Sequence, residues 1–164
     1  MNGLLIGRFQ PFHLGHVAGI KFALTKVDKL WLGIGSSNKH LEKNNPFSAD
    51  DRKKMIEFSL APEIRKKIQI YYIPDLDNHE KWIENLDSIV PKYDLVFSND
   101  EMTQHLYSKR DIQVLPIPFT KRDVLSGTNV RSKIISDQKW EHLVPEGTKN
   151  ILEKIGAKDY LKSL

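Results

Sequence analysis

Two histidines placed three residues apart are the most chemically suggestive feature of the sequence. The stretch GRFQPFHLGH, residues 7–16, places His13 and His16 directly after an apolar run and at the start of a helical pattern. Residues three apart on a helix share a face, and the start of a helix favours an anion through its free N–H groups and its dipole. Imidazoles there can donate hydrogen bonds to phosphate oxygens. The stretch therefore predicts a polyphosphate site, at which Gly7 lets the ligand approach the backbone closely.

Other roles for the histidine pair stay open at this stage. A pair with this spacing can bind zinc, although no third ligand lies close by in the sequence, and either histidine could be a structural residue with satisfied hydrogen bonds. The chain has no Walker lysine motif and no GxGxxG motif, and no Ser–His–Asp or Cys–His signature is visible. P-loop, dinucleotide-oxidoreductase and covalent-nucleophile mechanisms therefore have no support.

The segment SGTNVR, residues 126–131, is the second candidate for phosphate binding. Ser126 and Thr128, beside Gly127 at a predicted helix start, offer hydroxyl groups and backbone N–H donors. Arg131 lies in the first turn, where its guanidinium can hold phosphate oxygens through two hydrogen bonds. Alone, the segment is typical of an ordinary helix cap. Its value as a prediction comes from its combination with the histidine stretch.

Alternating strands and helices must position these motifs. Apolar runs predict buried strands at 3–6, 30–34, 68–73, 94–98 and 112–115. Apolar residues at helical spacing predict helices at 17–27, 49–61, 82–90, 102–106, 129–135 and 147–161, the last with a break at Gly156. Because the strands are apolar throughout, they predict an α/β fold, a Rossmann-like doubly wound parallel sheet with helices on both faces. Ligands of such sheets bind beyond the carboxyl ends of the strands, which here are followed by loops 7–13, 35–45, 74–80 and 119–128.

Composition is that of an ordinary globular protein. The chain has 164 residues, 40% of them hydrophobic and 28% charged, which fits a single domain over residues 1–164. The net charge of +4 comes from lysines spread along the chain, so no nucleic-acid partner is expected. The apolar start, residues 1–6, is interrupted by Arg8 and is too short for a signal peptide or a membrane span. The chain lacks cysteine, which suits a reducing cytoplasm.

The motifs together resemble those of a known enzyme family. HxGH, here residues 13–16, is the mark of a nucleotidyltransferase superfamily, and within it the chain resembles the archaeal-type nicotinamide-nucleotide adenylyltransferases. The matching stretches span nearly the whole chain in the expected order: GRFQPFHLGH (7–16), GIGSS (33–37), NPFSADDR (45–52), DNHEKW (77–82), SGTNVR (126–131) and KWEHLVPE (139–146). The first motif is highly specific, and the others support it.

The resemblance implies adenylyl transfer. The 5′-phosphate of nicotinamide mononucleotide would attack the α-phosphorus of ATP, giving NAD and pyrophosphate, without a side-chain nucleophile. Catalysis would come from alignment and from stabilising charge at the α-phosphorus, with His13, His16 and Arg131 as the catalytic residues. The family motifs imply an ATP site formed by Gly7, Arg8, Phe9, His13, His16, Ser126, Gly127, Thr128 and Arg131.

The remaining implications concern the acceptor, the metal and the assembly. Trp82 matches an aromatic residue that stacks on the pyridine ring, Asp77 an acidic position near the nicotinamide, and Arg122 a basic position before SGT. Mg²⁺ would bridge phosphates and be held largely by them and by water, so no side-chain metal site is expected. Members of the family form ring-like assemblies, which implies a homo-oligomer.

Some positions depart from the family pattern. Asn44 replaces a residue that is basic in some relatives, and Lys39 or Lys43 could substitute for it. The loop before Trp82 is short, so that Asp75 and Asp77 compete for one role, and His79 stands where an amide residue is common. Trp82 itself could instead be a core residue at a helix start.

Two other functions remain in competition. One is another HxGH adenylyl- or cytidylyltransferase, such as the pantetheine-phosphate type, although RFQPF, Trp82 and SGT favour the nicotinamide enzyme. The other is a non-catalytic module that binds nucleotides or RNA through the basic surface. Pyrophosphate release that depends on nicotinamide mononucleotide distinguishes the enzyme from the binding module.

Overall fold

The computed structural model describes residues 1–118 and 121–164. In this part of the chain, five strands alternate with eight α-helices. The strands are β1 (Asn2–Gly7), β2 (Lys29–Ile34), β3 (Ile68–Tyr72), β4 (Leu95–Phe97) and β5 (Gln113–Leu115). The helices are α1 (Leu14–Ala23), α2 (Ala49–Ser59), α3 (Pro62–Arg65), α4 (His79–Ile89), α5 (Glu101–Ser108), α6 (Gly127–Ile135), α7 (Glu146–Lys154) and α8 (Ala157–Lys162). A short 3₁₀ helix, Glu141–Leu143, precedes α7.

The strands described here form one parallel sheet in the order β3-β2-β1-β4-β5. Strand β1 is central, and its residue Gly3 pairs with Leu30 on one side and with Leu95 on the other. The order therefore reverses at β1, and the predicted doubly wound sheet is confirmed. A crevice forms where the order reverses, so that Gly7, the last residue of β1, lies at the switch point.

The core lies on both faces of this sheet. Leu4 and Leu5, neighbours in β1, belong to different clusters of buried side chains, because successive strand residues face opposite sides. The larger cluster joins the sheet to α1, α2, α6, α7 and α8, and the smaller one joins it to α4 and α5. The apolar character of the strands thus follows from burial on both sides.

The observed helix boundaries differ from the predicted ones where a capping residue sets the start of the helix. Helix α1 begins at Leu14 because His13 caps it, and it ends at Ala23 rather than at residue 27. Helix α4 begins before Trp82 because the Asn78 side chain accepts hydrogen bonds from two backbone N–H groups. Helix α3 is absent from the predicted helices, and it begins at Pro62, because proline is favoured in the first turn of a helix.

The C-terminal part follows the prediction closely. The helical tail is interrupted at Gly156, whose φ of 63° is left-handed, as a break there requires. The predicted loop 119–128 begins with two residues that lie outside the described residues, and its remainder leads into α6.

None of the described helices is both long and apolar enough to cross a membrane.

Candidate active site at the carboxyl edge of the sheet

Two of the cavities at the carboxyl ends of the strands contain the predicted histidines and the predicted tryptophan. The histidine cavity, of about 410 Å³, contains His13 and His16 and is lined by the loop after β1, by α1 and by the start of α6. The tryptophan cavity, of about 570 Å³, contains Trp82 and is lined by segments after β2 and β3, by α4 and by α5. Ile6, Gly7 and Arg8 line both cavities. Ligands in the two cavities would therefore meet at Arg8, beside the switch point of the sheet.

The histidines of the first cavity cap the helix that carries them. His13 is the N-cap of α1, and its Nδ1 accepts a hydrogen bond of 3.1 Å from the Gly15 N–H. The Nδ1 atom of His16 accepts one of 3.1 Å from the His13 N–H. Because both Nδ1 lone pairs are occupied, each neutral ring carries its proton on Nε2. Each ring therefore has an N–H donor left for a ligand.

Burial keeps these rings neutral. It lowers the pKa of His13 to about 4. Burial, together with repulsion from His13, holds the pKa of His16 well below its ordinary value. The two rings stack with 3.6 Å between their centroids, which is compatible with neutral imidazoles rather than with two cations. At neutral pH the pair supplies hydrogen-bond donors, and the arginines supply the positive charge of the cavity.

Close packing fixes the rings in this arrangement. A Cβ atom at Gly15 would lie 2.9 Å from the His13 ring, so that any other residue there would displace the imidazole. Phe9 packs edge-on against His16 with 4.7 Å between ring centroids, and Phe12 stacks on His16 at 5.7 Å. Phe9 itself has a φ of 53°, an uncommon left-handed conformation for a residue with a side chain. Strained backbone of this kind is often found at functional sites.

The SGTNVR segment forms the opposite wall. The Ser126 hydroxyl caps α6 by accepting a hydrogen bond from the Asn129 N–H at 3.1 Å, as the motif predicts. The Arg131 guanidinium donates to the Gln10 carbonyl at 2.6 Å, which joins this wall to the loop after β1. Burial and the positive charge of Arg8 lower the pKa of Arg131. An anion bound beside both guanidinium groups would relieve their repulsion.

The predicted ATP residues are brought together. The histidine cavity is lined by all nine of them: Gly7, Arg8, Phe9, His13, His16, Ser126, Gly127, Thr128 and Arg131. The three residues predicted for the mononucleotide are divided. Asp77 and Trp82 line the tryptophan cavity, whereas Arg122 lines the histidine cavity.

Trp82 lies between the tryptophan cavity and the core. It lies in the first turn of α4, half-buried, where it lines the tryptophan cavity and also packs against the smaller core cluster. The predicted ligand contact and the alternative of a core residue are therefore compatible. One face of the ring can meet a ligand while the rest of the side chain is held by the core.

Asp75 is the better anchored of the two competing aspartates. Its carboxylate accepts a hydrogen bond of 2.8 Å from the Ser36 hydroxyl and lies 3.4 Å from the Lys39 ammonium. The backbone of Asp75 is bonded to the Asn38 side chain in both directions. Asp77 lines the same cavity but is exposed. Lys39, the proposed substitute for a basic residue at position 44, is thus also placed at this cavity.

The residues that hold the loops around the two cavities in place were not predicted from the sequence. The Gln10 side chain bonds in both directions to the backbone of Phe47, and Asn99 bonds in the same way to Ile117. Arg52 is completely buried beneath both cavities' loops. Its signal was available, because a charged residue stands in the same helix as the buried Met55 and Ile56. A third ligand for zinc is not found, since the described residues contain no group of three metal-ligating side chains.

Comparisons with known proteins agree with this geometry. The model of the family described as cytidylyltransferase-like matches residues 4–133. The nicotinamide-nucleotide adenylyltransferase of Methanococcus aeolicus is 34% identical over 100% of this chain and 95% of its own length. That of Thermococcus sibiricus is 32% identical, over 100% and 89% respectively.

A solved structure is similar over nearly the whole chain. It is a bifunctional NMN adenylyltransferase/ADP ribose pyrophosphatase from Francisella tularensis, complexed with AMP and a manganese ion. The TM-score is 0.81 at 23% identity, with 99% of this chain covered and 51% of the other. The chain therefore spans about half the length of that protein and shares its fold over that half.

Proposed function

The chain belongs to the cytidylyltransferase-like family, alongside the archaeal nicotinamide-nucleotide adenylyltransferases, and we propose that it adenylylates nicotinamide mononucleotide to form NAD. In this reaction a 5′-phosphate oxygen of the mononucleotide bonds to the α-phosphorus of ATP. The bond from that phosphorus to the bridging oxygen breaks, and pyrophosphate leaves. The observation that carries the proposal is that Arg8 lines both cavities, so that ATP in one and the mononucleotide in the other meet at the reacting phosphorus.

ATP is assigned to the histidine cavity. His13 and His16 offer neutral Nε2–H donors, which suit the extra negative charge that develops on the α-phosphate in the transition state. Arg131 would bind the leaving pyrophosphate, and the N–H groups at the start of α6, near Gly127 and Thr128, would assist it. The rigid capping of both histidines means that little reorganisation is needed at the moment of reaction.

The mononucleotide is assigned to the tryptophan cavity. The exposed face of Trp82 suits the positively charged pyridine ring through cation–π attraction. Asp75, held by Ser36 and Lys39, can accept a hydrogen bond from the carboxamide, while Asp77 lies nearer the solvent. Arg122 is reassigned to the ATP side, because it lines the histidine cavity.

Magnesium would enter with ATP. The ionisable side chains that line the histidine cavity are arginines and neutral histidines, a donor set that fits phosphate oxygens rather than a cation. The ion would therefore be bound by the phosphates and water, as a hard cation with oxygen ligands prefers. The manganese ion in the Francisella relative supports the use of a divalent metal.

The assembly and location are further parts of the proposal. Residues 1–164 would act as one nucleotidyltransferase domain, in the cytoplasm and as a homo-oligomer. The domain and the oligomer are supported by the family resemblance, and the cytoplasm by the lack of cysteine. Light scattering on the purified chain would measure the oligomeric state directly, and a monomeric mass would contradict that part.

A coupled assay tests the activity. Purified protein, MgATP and nicotinamide mononucleotide should give NAD and pyrophosphate in equal amounts, and omission of any component should abolish both. Substitution of phosphopantetheine for the mononucleotide, or of CTP for ATP, should reduce the rate by orders of magnitude. Nucleotide binding without turnover would favour the non-catalytic module, and faster turnover of phosphopantetheine would favour the pantetheine-phosphate enzyme.

A further inference from the structure

Arg52 is a buried cation that neither cavity contains. It lies in α2 with 0% of its surface exposed, and a buried charge is costly unless its surroundings satisfy it. Its guanidinium donates five hydrogen bonds to backbone carbonyls: Gly35 at 2.8 Å, Arg8 at 2.9 Å, Ser48 and Ser36 at 3.2 Å, and Lys39 at 3.3 Å. One side chain therefore binds the loops that follow β1 and β2.

These two loops supply different parts of the site. The loop after β1 carries Arg8, which lines both cavities, and the loop after β2 carries Ser36 and Lys39, which hold Asp75. Ser36 has a left-handed φ of 49°, a conformation that persists in a non-glycine residue only when its surroundings enforce it. The Arg52 bond to the Ser36 carbonyl is one such constraint.

We propose that Arg52 is a positioning residue, which holds the Arg8 loop and the Ser36 loop in the fixed relation that aligns the two substrates. The inference rests on the proposed function, since it concerns how the two cavities share one reaction. Misplacement by about 1 Å, even from a change far from the chemistry, can lower a rate about 100-fold. Arg52 would therefore act on turnover without touching either substrate.

The positive charge of Arg52 also acts on the substrates at the junction of the two cavities. Burial lowers its pKa to about 10, so that the group stays protonated at neutral pH. Its bonded partners are carbonyl groups, and the nearby charges act in opposite directions, since Asp75 stabilises the positive charge of Arg52 and Arg8 opposes it. Phosphates bound at the junction of the cavities would offset that charge, which favours their binding there.

The first test compares two Arg→Lys variants. Arg52→Lys keeps the charge but replaces a planar set of five donors by three donors on one atom, so that it cannot hold both loops. Below its melting temperature it should show kcat lowered about 10–100-fold and raised KM for both substrates. The control is Arg65→Lys, an exposed arginine that pairs with Glu57 away from the cavities, which should keep kcat within about twofold.

A double-variant cycle separates positioning from stability. If Arg52 acts through Arg8, adding Arg52→Lys to Arg8→Ala should lower kcat by less than about threefold further. Full additivity of the two losses would overturn the proposal. So would a lowered melting temperature in Arg52→Lys with unchanged kcat.

A second variant covers the case in which Arg52→Lys fails to fold. Ser36→Gly tolerates the left-handed backbone but loses the hydroxyl that bonds Asp75. Because Arg52 binds the Ser36 carbonyl and not the hydroxyl, the freer glycine backbone in this loop should lower kcat about 3–10-fold if the fixed relation of the two loops aligns the substrates. Unchanged kcat would overturn the proposal, even with a raised KM for the mononucleotide, because that change alone reports only the lost hydrogen bond to Asp75. Wild-type protein is assayed in parallel with MgATP and the mononucleotide. If it makes no NAD, the proposed function fails, whereas an active wild type with unaffected variants rejects only the positioning role.

Discussion

The histidine and tryptophan cavities lie at the same edge of the sheet but are constructed differently. The histidine cavity is formed largely by two short sequence segments, in which side chains cap helices and bond to the backbone. The tryptophan cavity is assembled from single residues after β1, β2, β3 and β4, and several of its polar side chains are exposed. Rigid, dehydrated donors suit catalysis, whereas an open cavity with one aromatic face suits selection of an acceptor. We infer a division of labour in which one cavity determines the rate and the other the affinity.

The largest effect is expected from His16→Ala. Loss of an Nε2–H donor to the transition state should lower kcat by about 100–1,000-fold with little change in either KM. The matched control is His142→Ala, an exposed histidine outside both cavities, which should be nearly silent. Full activity of folded His16→Ala would break the comparison, since the histidine cavity would then not determine the rate.

The second largest effect is expected on the free energy of unfolding at acid pH. Burial lowers the pKa of His13 from 6.5 to about 4 in the folded protein, so that between these values the unfolded state holds more protons. The free energy of unfolding should therefore fall as the pH drops through this window, by about 3 kcal/mol for this residue. Thermal melts of wild type and of His13→Asn, in which the helix cap is retained, measure the difference. Equal pH dependence in the two proteins would contradict the burial of a neutral histidine.

Arg131→Lys should give an intermediate loss. Arg131 already uses one N–H group on the Gln10 carbonyl, and its remaining donors would bind pyrophosphate. Lysine keeps the charge but loses the two-pronged geometry, so that kcat should fall about 10–100-fold. Steady-state kinetics with Arg65→Lys as the control checks this. If lysine serves as well as arginine, a point charge is sufficient on this wall.

The smallest effect is expected in the tryptophan cavity. Removal of a stacked ring worth roughly 1–2 kcal/mol should raise KM for the mononucleotide about 5–30-fold in Trp82→Ala, with KM for ATP nearly unchanged. Trp82→Phe should recover much of the loss. Trp140→Ala, which removes a half-buried tryptophan outside both cavities, should lower the melting temperature without changing either KM. Equal changes in both KM values for Trp82→Ala would indicate a purely structural residue.

The different construction of the two cavities explains which parts of the fold and of the site could be predicted from the sequence. The parallel sheet and the histidine cavity were predictable because apolar runs and contiguous motifs are local signals. The position of Arg122 at the histidine cavity, away from Trp82, could not be predicted, because proximity in space between distant segments leaves no local signal in the sequence. Asp75 could not be preferred over Asp77, since its anchors, Ser36 and Lys39, lie on another loop.

Arg52 shows a second limit. The helical spacing of Arg52 from the buried Met55 and Ile56 indicates its burial, but it does not identify the five partners, which are backbone carbonyls contributed by three segments of the chain. The predicted helix boundaries were inexact for a related reason. Caps such as His13 depend on the side-chain geometry at the helix start, and histidine is not among the residues usually expected there.

The division of labour is tested most directly by steady-state kinetics of the double variant His16→Ala/Trp82→Ala. The two residues line different cavities and share no hydrogen-bond partner among those described, so their effects should be independent. The account predicts the kcat of His16→Ala combined with the mononucleotide KM of Trp82→Ala, each within about twofold of the single variant. A double variant in which either loss is strongly enlarged or masked by the other would contradict it.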